Sequence, residues 1–457
     1  MHDVGVNAHI TTKEPLVSTI PQVATTLQVV LSTIATTLAG TTGFIRRQRH
    51  LTGAGFVQAL VCGFLAHPLA TLEQLAQSAA NVGIIISPQG LAKRFTPAAA
   101  TYLQQVLEAA VQHVVTAKPV AIPILQRFNG VYVRASTTIT LPDGLATVWH
   151  GCGGSATGSA AALKVQGLWN VTTGALRWVG LQAGQANDRS APVQHLTLPA
   201  GALRIADLGY FSLDQIAIAQ AQGSFVLSRW YPQTALFAAD GTPLDLLAVL
   251  GQYAHPTLDW EVRLGAEQRL RVRLLAVRVP QEVADQRRRR IRKEARDKGQ
   301  AVSASALALA DWTICVTTVP GPHLTVAEAV VLLRVRWQIE LLFKLWKSQG
   351  QVDTSRSQQP WRILSEVYAK LLAMIVLHWV LLLSCWQHPD RSLPKATRTV
   401  QGHALALGAA VAMTVTEIVG CLARIARCVG AGCRLNPRRK RPNTYQLLLA
   451  LSDASLS

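Results

Sequence analysis

The run from Val335 to Lys347 constrains this chain more than any other segment. It reads Val-Arg-Trp-Gln-Ile-Glu-Leu-Leu-Phe-Lys-Leu-Trp-Lys. Its spacing predicts one helix with two stripes. Val335, Ile339, Leu342 and Trp346 recur at helical intervals as an apolar face, and Arg336, Glu340, Lys344 and Lys347 fall on an adjacent arc. The helix is expected to begin at Thr325, where Thr325 and Glu328 form a capping box, and to stop near Gly350. A single carboxylate among three cations is poor surface decoration. It suits one metal ligand set among groups that grip phosphate. The plainer alternative is pairing of the cations with Glu340 along the helix, worth only about 0.2–0.5 kcal/mol per pair.

Charge points to the kind of partner. The chain has 44 Lys and Arg against 25 Asp and Glu, a net charge of +19. That excess predicts a polyanion, most simply nucleic acid, with an anionic membrane surface as the rival. The seven cysteines lack CxxC spacing, and only Cys421, Cys428 and Cys433 cluster loosely, so reduced thiols are expected rather than a zinc site. The first twenty residues contain acids and no signal-peptide apolar core. The longest apolar run, Leu371 to Trp386, falls short of the ~20 residues of a typical span. It contains His378 and reads as a buried core helix; a membrane span is the alternative.

Residues 15–115 read as helices broken at Gly43, Pro68 and Gly83. Thr71 starts a helix that Asn81-Val82-Gly83 stops. Ser87 then serves as N-cap of a second helix with Pro88 at its first position. This second helix bears Gln89, Lys93 and Arg94, which fits a helix-turn-helix as well as an ordinary helical hairpin. Gly43 to His50 adds a basic patch. Strands begin near Asn129, with Val131, Val133 and Ala135 alternating with Tyr132 and Arg134. Runs 162–171 and 175–182 form a hairpin across Thr172-Thr173-Gly174, and a strand from Ala202 ends at Asp207. Three antiparallel strands, a fourth ending in an acid, then helices is the order of a ribonuclease-H-like core. Further strands follow at 225–227, 260–264, 269–274 and 312–318. Arg alternates with Leu or Val in the third of these, which puts cations on one sheet face. The block Arg287 to Lys293 follows on a helix, and the two together favour contact with a DNA backbone. The tail from 389 on reads as helical with basic loops, notably Arg438 to Arg441.

Cutting a phosphodiester needs an activated water, an in-line leaving oxygen and neutralised charge, which two divalent ions bridged by carboxylates supply. In a ribonuclease-H-like core the acids come from the first strand, the fourth strand and a later helix. This chain offers Ala135, Asp207 and Glu340 there. With these residues it resembles a DDE transposase of bacterial insertion sequences, in the insertion-sequence-four branch. That branch carries a Tyr-x2-Arg-x3-Glu-x6-Lys helix signature. Arg336, Glu340 and Lys347 match it, whereas Leu333 stands at the tyrosine position. Asp207-Leu208-Gly209-Tyr210-Phe211 resembles the second-acid motif. The first-acid motif resembles Asp-Ser-Thr followed by Leu-Pro-Asp, and here it reads Ala135-Ser136-Thr137, then Leu141-Pro142-Asp143. The frame is kept and the acid is gone; Asp143 lies too far along to replace it, and Asp188, in a loop, is read as structural.

The resemblance implies a multi-domain α/β protein. Residues 1–120 would be a helical DNA-end-binding region, 125–229 and 306–386 the two halves of the ribonuclease-H-like core, 230–305 a β-strand insertion, and 387–457 a helical tail. It implies a cut-and-paste transposase that binds terminal inverted repeats, hydrolyses phosphodiesters, forms a hairpin and transfers strands. Two Mg2+ (or Mn2+) ions are expected in an intact site. Double-stranded DNA, as transposon ends and target, is the expected partner, held by a homodimer in the bacterial cytoplasm at the nucleoid, with no membrane. Arg336, Lys344 and Lys347 would hold phosphate, with Arg229, Lys93 and Arg94 as further DNA contacts. Trp312 would stack a flipped base, its alternative being a core tryptophan. Without a carboxylate at Ala135 this chain is expected to be catalytically impaired. A non-catalytic DNA-binding relative, either domesticated or inhibitory, is the alternative.

Overall fold

The computed structural model describes residues 17–47, 50–153, 159–188, 191–386, 388, 390–436 and 442–454. Six helices lead: α1 (Ile20–Gln28), α2 (Ala35–Thr41), α3 (Gly53–Ala66), α4 (Leu72–Asn81), α5 (Pro88–Ala92) and α6 (Pro97–Ala110). Then come α7 (Pro123–Gln126), β1 (Val131–Leu141), β2 (Ala161–Asn170), β3 (Leu176–Ala183), β4 (Leu203–Ala206), α8 (Leu213–Ala221) and β5 (Phe225–Arg229). The next stretch holds β6 (Leu236–Ala238), α9 (Leu246–Gln252), β7 (Thr257–Leu264), β8 (Leu270–Arg278), α10 (Gln281–Asp297), α11 (Ala304–Leu309) and β9 (Trp312–Thr317). The chain continues through α12 (Val326–Val335), α13 (Trp337–Gly350), α14 (Pro360–Ser384), α15 (Leu393–Gly402), α16 (Ala404–Met413), α17 (Val415–Ala431) and α18 (Thr444–Ala454).

The strands hydrogen-bond in the order β3-β2-β1-β4-β5-β9-β8-β7-β6. β1 pairs parallel with β4 and β4 parallel with β5, β2 and β3 form an antiparallel hairpin, and from β5 through β9 to β6 the pairing is antiparallel. This mixed α/β order, with β4 running into Asp207 and lying beside β1, is compatible with a ribonuclease-H-like transposase. All five residues from Val131 to Ala135 are buried, so both faces of β1 are covered there.

The chain divides into two compact units. One comprises Met1–Ala121, Ala135–Val193 and Gln338–Arg441. Its centre is α14, buried along nearly its whole length and packed against α3, α6 and α17. α14, like the run Ile20–Thr41, is long and apolar enough to cross a membrane, yet 94% of its most apolar window is buried inside the protein. The expectation of a core helix from Leu371 therefore holds. The caps anticipated in the sequence are present: Thr71 with Gln74, then Ser87 accepting from the Gly90 amide with Pro88 following. Gly83, at φ +84°, turns the chain after α4, the left-handed conformation that glycine adopts without strain. α5 spans only five residues, and Lys93 and Arg94 lie at and beyond its C-cap, because the N-cap of α6 at Thr96 follows at once. In the basic patch, Arg46 and Arg47 are exposed and residues 48 and 49 lie outside the described set, as does the segment Arg438 to Arg441.

His378 sets a pH limit on this unit. It is buried in α14 and donates from Nε2 to the Gly174 carbonyl at 2.8 Å. Burial pushes its pKa down to about 4, against the opposing pull of the Gly174 carbonyl. The folded value lies below the ordinary 6.5, so between these two pH values the unfolded chain takes the proton first. Stability is full above about 6.5 and falls towards pH 4 by about 1.4 kcal/mol per pH unit, roughly 3 kcal/mol in all. Denaturant unfolding across this range should show that slope in the parent and a flatter one in His378→Gln. Parallel slopes would remove His378 as the cause.

The second unit comprises Ile122–Arg134, Gln194–Trp337 and Pro442–Ser457. Its core packs Leu258, Val262, Leu264, Val272, Leu274 and Trp312 with Ile216, Leu246 and Leu250. The cations of β7 and β8 share one sheet face, as the alternation predicts, but the face is not purely cationic. The cross-strand pairs bring Asp259 and Glu261 onto it beside Arg263, Arg271 and Arg273. Arg273 is buried and bonded to Asp259, Val319 and Leu324. The alternation set the face correctly but gave no sign that Arg273 would be buried there while Asp259, Glu261 and Arg271 stay exposed.

A second correction concerns the signature helix. It is two helices, α12 and α13, interrupted at Arg336. Arg336 keeps right-handed helical angles (φ −51°, ψ −36°), so the break lies in the hydrogen-bond ladder and the register runs through it. Val335, Ile339, Leu342 and Trp346 are accordingly all buried, as the stripe predicts. The capping box of Thr325 and Glu328 is formed.

Candidate active site

Asp207 stands just past the end of β4, as N-cap of the short 3-10 turn Leu208–Tyr210. Its side chain is 40% exposed and its Oδ2 lies 3.3 Å from Nη1 of Arg336. Arg336 thus reaches the Asp207 carboxylate from the C-cap of α12. Its guanidinium also lies 5.1 Å from the ring of Trp337, a residue 45% exposed that the sequence reading passed over. The only signal for Trp337 was its place off the apolar stripe.

Ala135 lies in β1 and is 7% exposed. The next residue, Ser136, donates from Oγ to Oδ2 of Asp188 at 3.2 Å. Oδ1 of Asp188 accepts from Gln166 Nε2 at 3.1 Å and faces Lys164 Nζ at 3.3 Å. Asp188 is thereby a structural tie between β1, β2 and the segment after β3. Strand alternation turns Ser136, and with it the Asp188 contact, to the face opposite Ala135.

Glu340 occupies the first turn of α13 and is half-buried. α13 lies against β2, where Ile339 and Phe343 close over Gly167: a Cβ there would meet Phe343 at 3.4 Å and Ile339 at 3.6 Å. Lys347 donates to the Thr138 carbonyl at 2.8 Å and lies 3.7 Å from Asp353, which ties the end of α13 to β1. Lys344 is exposed, as are Lys93 and Arg94.

Arg229 is exposed at the end of β5. Burial first, and then the Arg229 cation, hold the Arg287 guanidinium below its ordinary pKa. Arg287 straps α10 to β9, donating to the Trp312 carbonyl and Thr313 Oγ1 at 2.8 Å each. Trp312 itself is 6% exposed, and the Arg278 guanidinium lies 4.8 Å from its ring centre. Among the described residues, then, the tryptophan expected to stack a base is packed in the core of its unit.

The family model described as a transposase DDE domain matches residues 136–376, more than half of the chain. The chain belongs to the DDE transposase family. The transposase for insertion sequence element IS231F of Bacillus thuringiensis subsp. israelensis is 24% identical to it over 440 residues, 90% of this chain and 91% of that one. The transposase for IS231C of the subspecies berliner is 26% identical over 363 residues, 74% and 75% of the two. That for IS1151 of Clostridium perfringens is 23% identical over 361 residues, 73% and 74%.

DDE transposases generally use divalent metal ions. The residues of this chain do not fit such a centre. Position 135, where the resemblance expects the first acid, offers only a methyl, and Asp207 is engaged by Arg336. Among the described residues no three His, Cys, Asp or Glu side chains are grouped to hold a metal. The seven cysteines are free, and burial pushes Cys62, Cys315 and Cys385 up to about 12, which leaves these thiols unreactive.

Proposed function

We propose that this protein is the transposase of a cut-and-paste insertion sequence that recognises terminal inverted repeats and carries a disabled cleavage centre. The observation that carries the reading is the DDE-domain match, together with Arg336, Glu340 and Lys347 in the spacing of the signature. In this reading Asp207 and Glu340 are the two surviving acids of a site that in intact form holds two Mg2+ or Mn2+ ions. Arg336, Lys344 and Lys347 bind phosphates at the cleaved end, and Arg229 adds a contact. Arg336 lies against Asp207, which neutralises the carboxylate in a chain that lacks the first acid. Base stacking by Trp312 requires Arg278 to leave its ring. Residues 230–305 act as the β-strand insertion, and 387–457 help to pair subunits into a dimer on DNA. The protein works in the cytoplasm at the nucleoid. Ala135 favours a second reading, a relative that binds ends and blocks transposition without cutting.

The N-terminal helices supply end binding. From Pro15 to Leu107 the sequence holds one carboxylate, Glu73, against Arg46, Arg47, Arg49, Lys93 and Arg94. A duplex of the element's own end should bind with steep salt dependence. Lys93→Ala with Arg94→Ala is expected to reduce the log–log salt slope by about 2, one for each lost phosphate contact. Titration by gel shift between low and physiological salt checks this, and an unaltered slope would remove both residues from the interface.

A further inference from the structure

The corner between α4 and α5 is held rigidly from inside while it exposes an apolar tip. Ile85 is 81% exposed, more than any other large hydrophobic among the described residues. A single exposed hydrophobic needs no explanation by itself; the surroundings of this one do. Ile84 is buried against α3, and a Cβ on Gly55 would come within 1.9 Å of its Cδ1. Leu91 is buried, and Phe95 packs on Phe56 beneath the Arg362 guanidinium. These anchors fix the corner on both sides. Outward stand Ile85, Gln89, Lys93 and Arg94, all exposed, with Gln89 and Lys93 one turn apart.

The set pairs two chemistries. Lys93 and Arg94 suit phosphate, in a stretch whose only carboxylate between Pro15 and Leu107 is Glu73. Gln89 and Ile85 suit base edges: a glutamine amide matches the N6 donor and N7 acceptor of adenine, and an aliphatic tip matches the methyl of thymine. Both groups are displayed together in the major groove only by an A·T pair or by neighbouring A·T pairs. We propose that the α4–α5 corner reads A·T base pairs in the major groove, with Gln89 on adenine, Ile85 on a thymine methyl, and Lys93 and Arg94 on the flanking phosphates. This rests on the reading that the N-terminal helices bind duplex DNA, and adds the sequence they prefer.

The test selects bound duplexes from a library of 40-base-pair DNAs with randomised centres, using the full chain and its Ile85→Ala and Gln89→Ala variants. Both side chains are exposed, and melting curves check that the variants fold. The parent should enrich a motif with fixed A·T positions. Replacing one of those thymines by uracil should weaken parent binding about fourfold, the worth of a buried methyl, and leave Ile85→Ala indifferent. Gln89→Ala should lose about tenfold of its preference for the adjoining A·T pair. If thymine and uracil duplexes bind the parent alike, or both variants select the parent's motif with equal preference, the assignment falls while DNA binding stands. If the parent retains no duplex at all, the underlying reading falls with it.

Discussion

Replacing Ala135 by aspartate is expected to raise magnesium-dependent cleavage of the element's terminal DNA by at least about 10²–10³-fold, the range seen when one group that stabilises developing charge is lost or regained. Position 135 is buried in β1 between Val133 and Ile139, so the new carboxylate has little water. Without a cation it costs about 1–3 kcal/mol as a desolvated group lacking a partner. That cost gives a second readout, separate from turnover. Mn2+ should raise the melting temperature of Ala135→Asp and leave the parent unmoved, since ligand binding to the folded state stabilises it by mass action. Equal cleavage by parent and variant would overturn the assignment of position 135. Metal-dependent stabilisation with no cleavage would instead favour the reading as a binding protein.

Much of this fold was legible because its signals are local. The capping residues Thr71, Ser87 and Thr325 name helix starts by side-chain chemistry, and each forms the bond expected of it. The turn at Thr172 to Gly174 joins β2 and β3 as a hairpin. The period of the signature run places Val335 through Trp346 on a buried stripe even across the break at Arg336, since the dihedral angles there stay helical. What was not legible depends on partners distant in sequence. Trp312 has the same sequence context whether it faces a base or Arg278. Asp188 is structural, as its loop position suggests, but nothing in the loop names Ser136, Lys164 and Gln166 as its partners. Alternation tells which residues share a strand face, and never which face another layer covers.

Arg273 is the sharpest instance of that limit, and its replacement is expected to have the largest effect on stability. The strand alternation puts it in a row of cations suited to a DNA backbone; instead its Nη1 donates to the carbonyls of Val319 at 2.9 Å and Leu324 at 3.0 Å. Arg273→Met orphans both, at about 1–3 kcal/mol for each buried acceptor left unsatisfied, so a loss of about 3 kcal/mol is expected. The ion pair with Asp259 adds little, because Asp259 is 40% exposed and water takes over its carboxylate. Asp259→Asn should therefore cost under about 1 kcal/mol. Denaturant unfolding of the two variants decides the point: equal losses would mean that the ion pair, not the carbonyl clamp, holds the segment. The clamp also reaches the site. Val319 to Leu324 is the path from β9 into α12, and α12 ends at Arg336, the partner of Asp207. In the Ala135→Asp background, Arg273→Met should then slow cleavage well below its melting temperature, where a purely global effect would leave the rate unchanged.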